Sequence, residues 1–356
     1  MNTHSFLAGL RDNPDFLLQN LDFQKRRGLV VKINESAYRQ ASFLDERVFS
    51  ADTQGAWFPY ETLLEVTTGL TIQKAPHFIF HIGHCGSTLI SRLLGELPQT
   101  FSLREPIALL ALAVIRREMD TDKAPLDMAT WRRLFAMSLT SLSRTYHIND
   151  RPIIKLTSAA GNLLEPVLQA YAGSKALLIY VDLETWLATM LRAEAARDNL
   201  HAYSGVWLKD FQRLVGRDEI QLQALDDTQQ AVISWLTMML TFQLAAAHYP
   251  GRIQWLNFDD FLLHTTEYLM SISELFGLQL STQQSQELLS GPLMRSYSKI
   301  TAQPFNADQR TQELQEARTR FHDEIKRGLR WAGDLCRDTP ALGQTGRYLH
   351  NGDKIA

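Results

Sequence analysis

Cysteine is scarce. Two in 356 residues, Cys85 and Cys336, supply neither a disulfide framework nor a cysteine-rich zinc site. An excess of one charge is also missing. Thirty-six Lys and Arg face 39 Asp and Glu, a formal charge of −3. That balance argues against a dominant nucleic-acid footprint and still leaves room for a local basic pocket that takes a phosphorylated small molecule. The longest clean apolar run, residues 107–115, is short of the roughly 20 residues that span a bilayer. The opening MNTHSFLAGLRDNPDF has no basic stretch leading into an apolar one, so no secretory signal is expected. With 45% apolar and 21% charged residues the chain is ordinary globular protein, which excludes disorder, collagen and coiled coil. The expectation is a cytoplasmic protein without membrane or nucleic-acid partners; composition leaves the oligomeric state open.

The pattern divides the chain near residue 75. Residues 1–74 read as an N-terminal extension packed on the core, with a helix-like opening, a strand at 29–33 and an aromatic segment, Trp57, Phe58, Pro59, Tyr60. From 75 to 356 short apolar runs alternate with helical periodicity, the signature of βαβ units. Strands are predicted at 77–82, 152–156, 176–181 and 252–258, and helices at 87–97, 162–171, 184–196 and 259–276. Residues 229–248 form a further apolar helix. Residues 308–335 form a long, charge-laced one that packs through Leu314, Phe321, Ile325, Leu329 and Trp331. The fold class is α/β, a three-layer arrangement with a central, mainly parallel sheet flanked by helices, an N-terminal extension and a helical C-terminal segment.

The most informative stretch is FIFHIGHCGSTLISRLL, residues 78–94. A buried strand runs into Gly83-His84-Cys85-Gly86-Ser87-Thr88 and a helix begins at once. Glycines permit positive φ, helix-start amides carry positive partial charge, and Ser87 and Thr88 add hydroxyl donors, so the segment reads as an anion site. It also reads as a Gly-rich turn that binds nothing. The Walker A lysine does not follow Gly86.

This loop is similar to the 5′-phosphosulfate loop of the P-loop sulfotransferases, with His84 in its basic position, Cys85 in its serine position, and Gly86, Ser87 and Thr88 matching directly. The resemblance continues in Leu103-Arg104-Glu105-Pro106, in Lys155-Leu156-Thr157-Ser158 at a strand end, in residues 176–190, and in IQWLNFDDFLLHTTEYLMSISELFGL, residues 253–278. It covers about residues 75–280. It implies 3′-phosphoadenosine-5′-phosphosulfate as co-substrate and direct transfer of its sulfuryl group to a hydroxyl or amine on a small-molecule acceptor, with no metal. The carried-over roles are Gly83, Cys85, Gly86, Ser87 and Thr88 for the phosphosulfate, and His84 and Lys155 for the leaving charge. Glu105 takes the acceptor's proton, and Thr189 with Arg192 holds the 3′-phosphate.

Two departures bear on that chemistry. Val181 stands where the family has the arginine that forks onto the 3′-phosphate, beside Asp182, and Arg192 one turn past Thr189 is the substitute cation. His84 replaces a fixed charge with an imidazole that is mostly neutral at pH 7 when free, so its role would be that of an acid. Each residue has a plainer reading. Glu105 reads equally as a charge at the start of the following helix, Arg192 as an exposed helix arginine, and Arg104 as a partner for a carboxylate. Trp57, Phe58 and Tyr60 line either an acceptor pocket or the core. Arg295-Ser296-Tyr297-Ser298-Lys299 is either a nucleotide contact or a polar connection. His77 and His81 share a strand face, yet no acidic or cysteine cluster completes a metal site. Two other functions stay open: a nucleotide-dependent phosphotransferase, with Asp182 as its candidate magnesium ligand, and a non-catalytic nucleotide-binding or interaction protein.

Overall fold

In the computed structural model, which describes residues 3–296 and 307–349, eight strands among the described residues form two sheets. Strands β1 (Phe16–Asp22), β2 (Arg27–Lys32) and β3 (Gly55–Pro59) are antiparallel in that order. The second sheet holds β4 (His77–His81), β5 (Thr100–Arg104), β6 (Arg151–Lys155), β7 (Ala176–Tyr180) and β8 (Ile253–Asn257), all parallel, in the order β5-β6-β4-β7-β8. Every residue of β4 and β5 is buried, as expected for parallel strands covered by helices on both faces. The chain leaves central β4 toward β5 on one side and later crosses to β7 on the other. A ligand crevice belongs at the carboxyl end of such a switch point.

Periodicity missed β5. Its Thr100 and Ser102 read as polar, but Thr100 Oγ1 donates to the carbonyls of Leu94 (2.7 Å) and Leu97 (2.8 Å), and the Ser102 hydroxyl meets that of Ser91 at 2.9 Å. Those local bonds let small polar residues sit in a buried strand. The long C-terminal helix is two helices, Ala307–Arg320 and His322–Asp338, broken at Phe321. The helix expected at 259–276 is likewise Phe258–Leu263 and Thr265–Phe276, broken at His264. Helix Asp227–His248 is long and apolar enough by composition to cross a bilayer, yet most of its apolar window is buried inside the protein.

Residues 3–66 pack on the rest of the protein through a buried arginine, Arg104, and a half-buried one, Arg144. Arg104 donates to the carbonyls of Tyr38 (2.7 Å), Arg39 (2.9 Å) and Ala41 (2.6 Å), and Arg144 to those of Asn13 (2.9 Å) and Phe16 (2.7 Å). Phe58 and Tyr60 belong to the core of this lobe, while Trp57 is exposed beneath the Arg27 guanidinium.

His77 gives the first stability prediction. Its ring stacks on Phe276 at 4.8 Å; Nδ1 accepts the Lys175 amide (3.2 Å), so Nε2 carries the proton and donates to the Phe276 carbonyl (3.0 Å). Burial, reinforced by the nearby Arg151, holds its pKa down from 6.5 to about 3. In the unfolded chain the imidazole takes up a proton below pH 6.5, whereas the folded one stays neutral until about pH 3. Stability therefore falls as pH drops through that window, by about 1.4 kcal/mol per unit at most. Urea titrations at pH 7 and pH 5 are expected to show this loss, and a His77→Leu variant to show less of it.

Candidate phosphate-loop site

The loop after β4 is built from left-handed backbone. Gly83, His84 and Gly86 have φ of +81°, +48° and +72°, and Gly86 caps helix Ser87–Gly95. Leu89, Ile90, Leu93 and Leu94 bury that helix against the sheet. By position, the amides of Gly86, Ser87, Thr88 and Leu89 have no carbonyl one turn back within the helix, and the macrodipole adds positive partial charge there. A β-carbon on Gly86 would lie 2.1 Å from the ring of Phe258, the first residue of helix Phe258–Leu263. One on Gly83 would lie 3.3 Å from Ser158 Oγ, so the Ser158 hydroxyl borders the loop.

Two loop groups serve the protein itself. Gly83 N–H donates to His81 Nδ1 at 2.9 Å, so its amide is committed to a side chain. Cys85, fully buried, turns its thiol inward to the Ile179 carbonyl at 3.4 Å. The expectation that the Cys85 side chain stands in for a phosphosulfate-binding serine therefore fails on geometry. His84 sits half-buried at the loop tip.

Glu105 and Lys155 come together where β5 and β6 end. The Glu105 amide donates to the Lys155 carbonyl (2.7 Å), its carboxylate pairs directly with the Lys155 ammonium, and Oε1 lies 3.7 Å from His81 Nε2. Glu105 holds a left-handed φ of +55°, a conformation that costs a non-glycine residue about 1 kcal/mol and that this pairing maintains. Burial pushes its carboxyl up, but the Lys155 ammonium above all outweighs that and brings the pKa down to about 2. A carboxylate held so low is a weak proton acceptor, which counts against Glu105 as a strong general base. Lys155 has no exposed surface and lies 5.7 Å from the Phe43 ring, so it is a buried partner of Glu105 rather than a cation open to a ligand.

The expected 3′-phosphate residues are occupied elsewhere. Val181 is buried and its carbonyl accepts from Trp235 (3.0 Å); Thr189 Oγ1 donates to the Thr185 carbonyl (2.8 Å). Arg192 pairs with Glu313 at 2.6 Å. Glu313 lies on helix Ala307–Arg320, which is tied down by charge: Arg310 to Asp259 at 2.6 Å and Arg318 to Glu184 at 3.0 Å. Arg310 also stands over the Phe258 ring at 5.4 Å. Asp182 caps helix Leu183–Arg192 through Thr185 N–H (2.8 Å) and Thr185 Oγ1 (3.3 Å), which uses both its oxygens. Arg295 is exposed and Ser296 half-buried, while Tyr297, Ser298 and Lys299 lie outside the described residues.

No family model and no curated protein matches the chain. Solved structures that align with it include sulfotransferases and a retinol dehydratase. The sulfotransferase domain from the curacin biosynthetic pathway is 13% identical, covers 70% of this chain and 98% of its own, and gives a TM-score of 0.42. Sulfotransferase STF1 from Mycobacterium tuberculosis is 13% identical over 74% of this chain and 79% of its own, with a TM-score of 0.41. A retinol dehydratase solved with androsterone and the inactive cofactor PAP is 12% identical, over 81% and 90%, with a TM-score of 0.36. These overlays are loose.

Sequence reasoning weighed His81 only as a metal ligand and Ser158 only as part of a strand-end motif, and it missed Arg310. The contacts of Ser158 and Arg310 join segments far apart in the chain. Measured against a 3′-phosphoadenosine-5′-phosphosulfate donor, the residues fit one end only. Helix-start amides and two hydroxyl side chains suit the 5′-phosphosulfate. The apolar Val181 and the Arg192–Glu313 pair do not suit the 3′-phosphate.

Proposed function

We propose that the chain is a transferase that takes the 5′-phosphosulfate of a 3′-phosphoadenosine-5′-phosphosulfate-type donor at residues 83–88 and passes the sulfuryl group to a hydroxyl or amine of a small acceptor. The observation that carries this reading is the loop, with three left-handed residues ahead of a buried helix at the carboxyl end of the central strand. Ser87, Thr88 and the helix-start amides would hold the anion. His84, at the loop tip, is the group suited to donate a proton to the leaving oxygen. The Glu105–Lys155 pair would set the field beside the acceptor, with Glu105 orienting the acceptor's hydroxyl or amine hydrogen.

A phosphotransfer reading draws support from the poor fit to a 3′-phosphate, since nucleoside triphosphates lack that group. It loses its candidate magnesium carboxylate, because Asp182 is a buried helix cap.

Calorimetric titration tests the proposal. Adenosine 3′,5′-bisphosphate and adenosine 5′-monophosphate are both expected to bind, within about tenfold of each other, because Arg192 already has Glu313 as its anion; one lost charged contact of this kind is worth about 1.4 kcal/mol. Glu313→Gln is expected to widen the gap in favour of the bisphosphate. Magnesium-dependent ATP binding with phosphate transfer would replace this reading by the second, and absence of binding by any of the three would end both.

A further inference from the structure

We propose that His81 is a positioning residue that holds the phosphate loop in its anion-binding shape beside Glu105. The proposal rests on the reading of residues 83–88 as an anion site and says what keeps that site assembled.

His81 ends β4 and is 5% exposed. An amide N–H can only donate, so Gly83 N–H at 2.9 Å requires a lone pair on Nδ1. The ring proton must then sit on Nε2, where it donates to the Leu156 carbonyl at 2.9 Å. One tautomer and one charge state satisfy both bonds. The other tautomer would set two N–H groups against each other and turn a lone pair toward Leu156. The same Nε2 lies 3.7 Å from Glu105 Oε1. A single ring therefore touches the turn after β4, the residue after β6 and the residue after β5.

The consequence falls on Gly83. Glycine enters either sign of φ at little cost, so its left-handed φ of +81° needs an outside restraint, and the His81 ring is the acceptor that supplies it. Without that acceptor a buried amide is left unpaired and the turn is released from its present dihedrals. An anion cradle made of backbone amides binds well only when the amides are already aimed, so loosening the turn costs affinity.

Substitution can separate this role from mere filling of space. The side-chain oxygen of His81→Asn lies at the reach of Nδ1 and can accept from Gly83. His81→Gln extends toward the position of Nε2 and leaves Gly83 unserved. His81→Ala serves neither. Calorimetry with adenosine 3′,5′-bisphosphate is expected to show wild type and His81→Asn within about threefold, and Ala and Gln at least tenfold weaker. Size alone would favour Gln over Asn. Gly83 amide exchange, followed by NMR without any ligand, is expected to be slow in wild type and Asn and faster in Ala and Gln. Histidine ¹⁵N shifts are expected to show Nδ1 unprotonated. If wild type binds and His81→Ala binds equally well, the positioning role is wrong while the anion site stands. If wild type does not bind, the anion reading falls. Slow Gly83 exchange in His81→Ala, or a proton on Nδ1, overturns the role of His81 in either case.

Discussion

Gly86→Ala is expected to lose measurable nucleotide binding and to unfold at lower urea. Two independent obstacles meet at that position. The backbone is left-handed at φ +72°, and a β-carbon would stand 2.1 Å from a Phe258 ring that is 3% exposed. The ring cannot yield easily, because Arg310 stands over it and Phe261 stacks beside it at 6.0 Å. Overpacking and dihedral strain together give a loss of about 2–4 kcal/mol. A Phe258→Ala change in the same chain relieves the clash but removes a buried ring worth about 3–5 kcal/mol and leaves the dihedral strain, so the double variant is expected to lose less stability than the two single losses summed and to recover little of the binding. Wild-type binding by Gly86→Ala would show that the loop is not shaped as described.

Glu105→Gln is expected to be nearly as damaging, through Lys155. The ammonium has no exposed surface, and its carboxylate partner would be replaced by an uncharged amide. Removing one member of a buried pair costs about 3 kcal/mol, and a large part of that is the stranded charge. Neutralising both ends, in Glu105→Gln with Lys155→Met, is therefore expected to restore much of the loss. The pH dependence carries the same signature. Glu105 titrates near 4.5 when unfolded and near 2 in the fold, so below pH 4.5 the unfolded chain binds the proton first and stability falls as pH drops toward 2. At about 1.4 kcal/mol per unit the full effect is about 3 kcal/mol. Urea titrations between pH 5 and pH 2.5 are expected to show that slope in wild type, on top of the His77 contribution, and to show it reduced in the Gln variant.

The parts of this protein that could be read from its letters were those whose cause is local. The strand–loop–helix at residues 78–94 announces itself through glycine spacing and a continuous apolar strand, and β4, β6, β7 and β8 through their Ile, Leu and Phe content. Strand β5 was hidden because Thr100 and Ser102 satisfy their hydroxyls on neighbouring backbone and side-chain groups, and no hydropathy pattern registers that. The single long C-terminal helix was an artefact of periodicity continuing across Phe321, where the backbone turns out of helical geometry at φ −111°.

The candidate site divides the same way. Loop residues were legible, and Glu105 and Lys155 were singled out, but that they neutralise each other depends on β5 lying beside β6 in register, Arg104 opposite Lys155. Arg192 looked like a substitute phosphate ligand until helix Ala307–Arg320 brought Glu313 to it from 121 positions along the chain. Cys85 occupies a loop position whose side chain turns inward, a direction that spacing does not encode.

Arg104 and Glu105 are neighbours with opposite errands. One guanidinium grips three carbonyls of the N-terminal lobe, and the next side chain faces His81 and Lys155. Leu44 adds its own amide to the Arg104 carbonyl at 2.7 Å. The lobe thus acts as a handle on the carboxylate: a tug on residues 38–44 reaches Glu105 through one peptide unit. Shortening this protein to its parallel sheet would therefore unmoor the Glu105 carboxylate from the backbone that holds it.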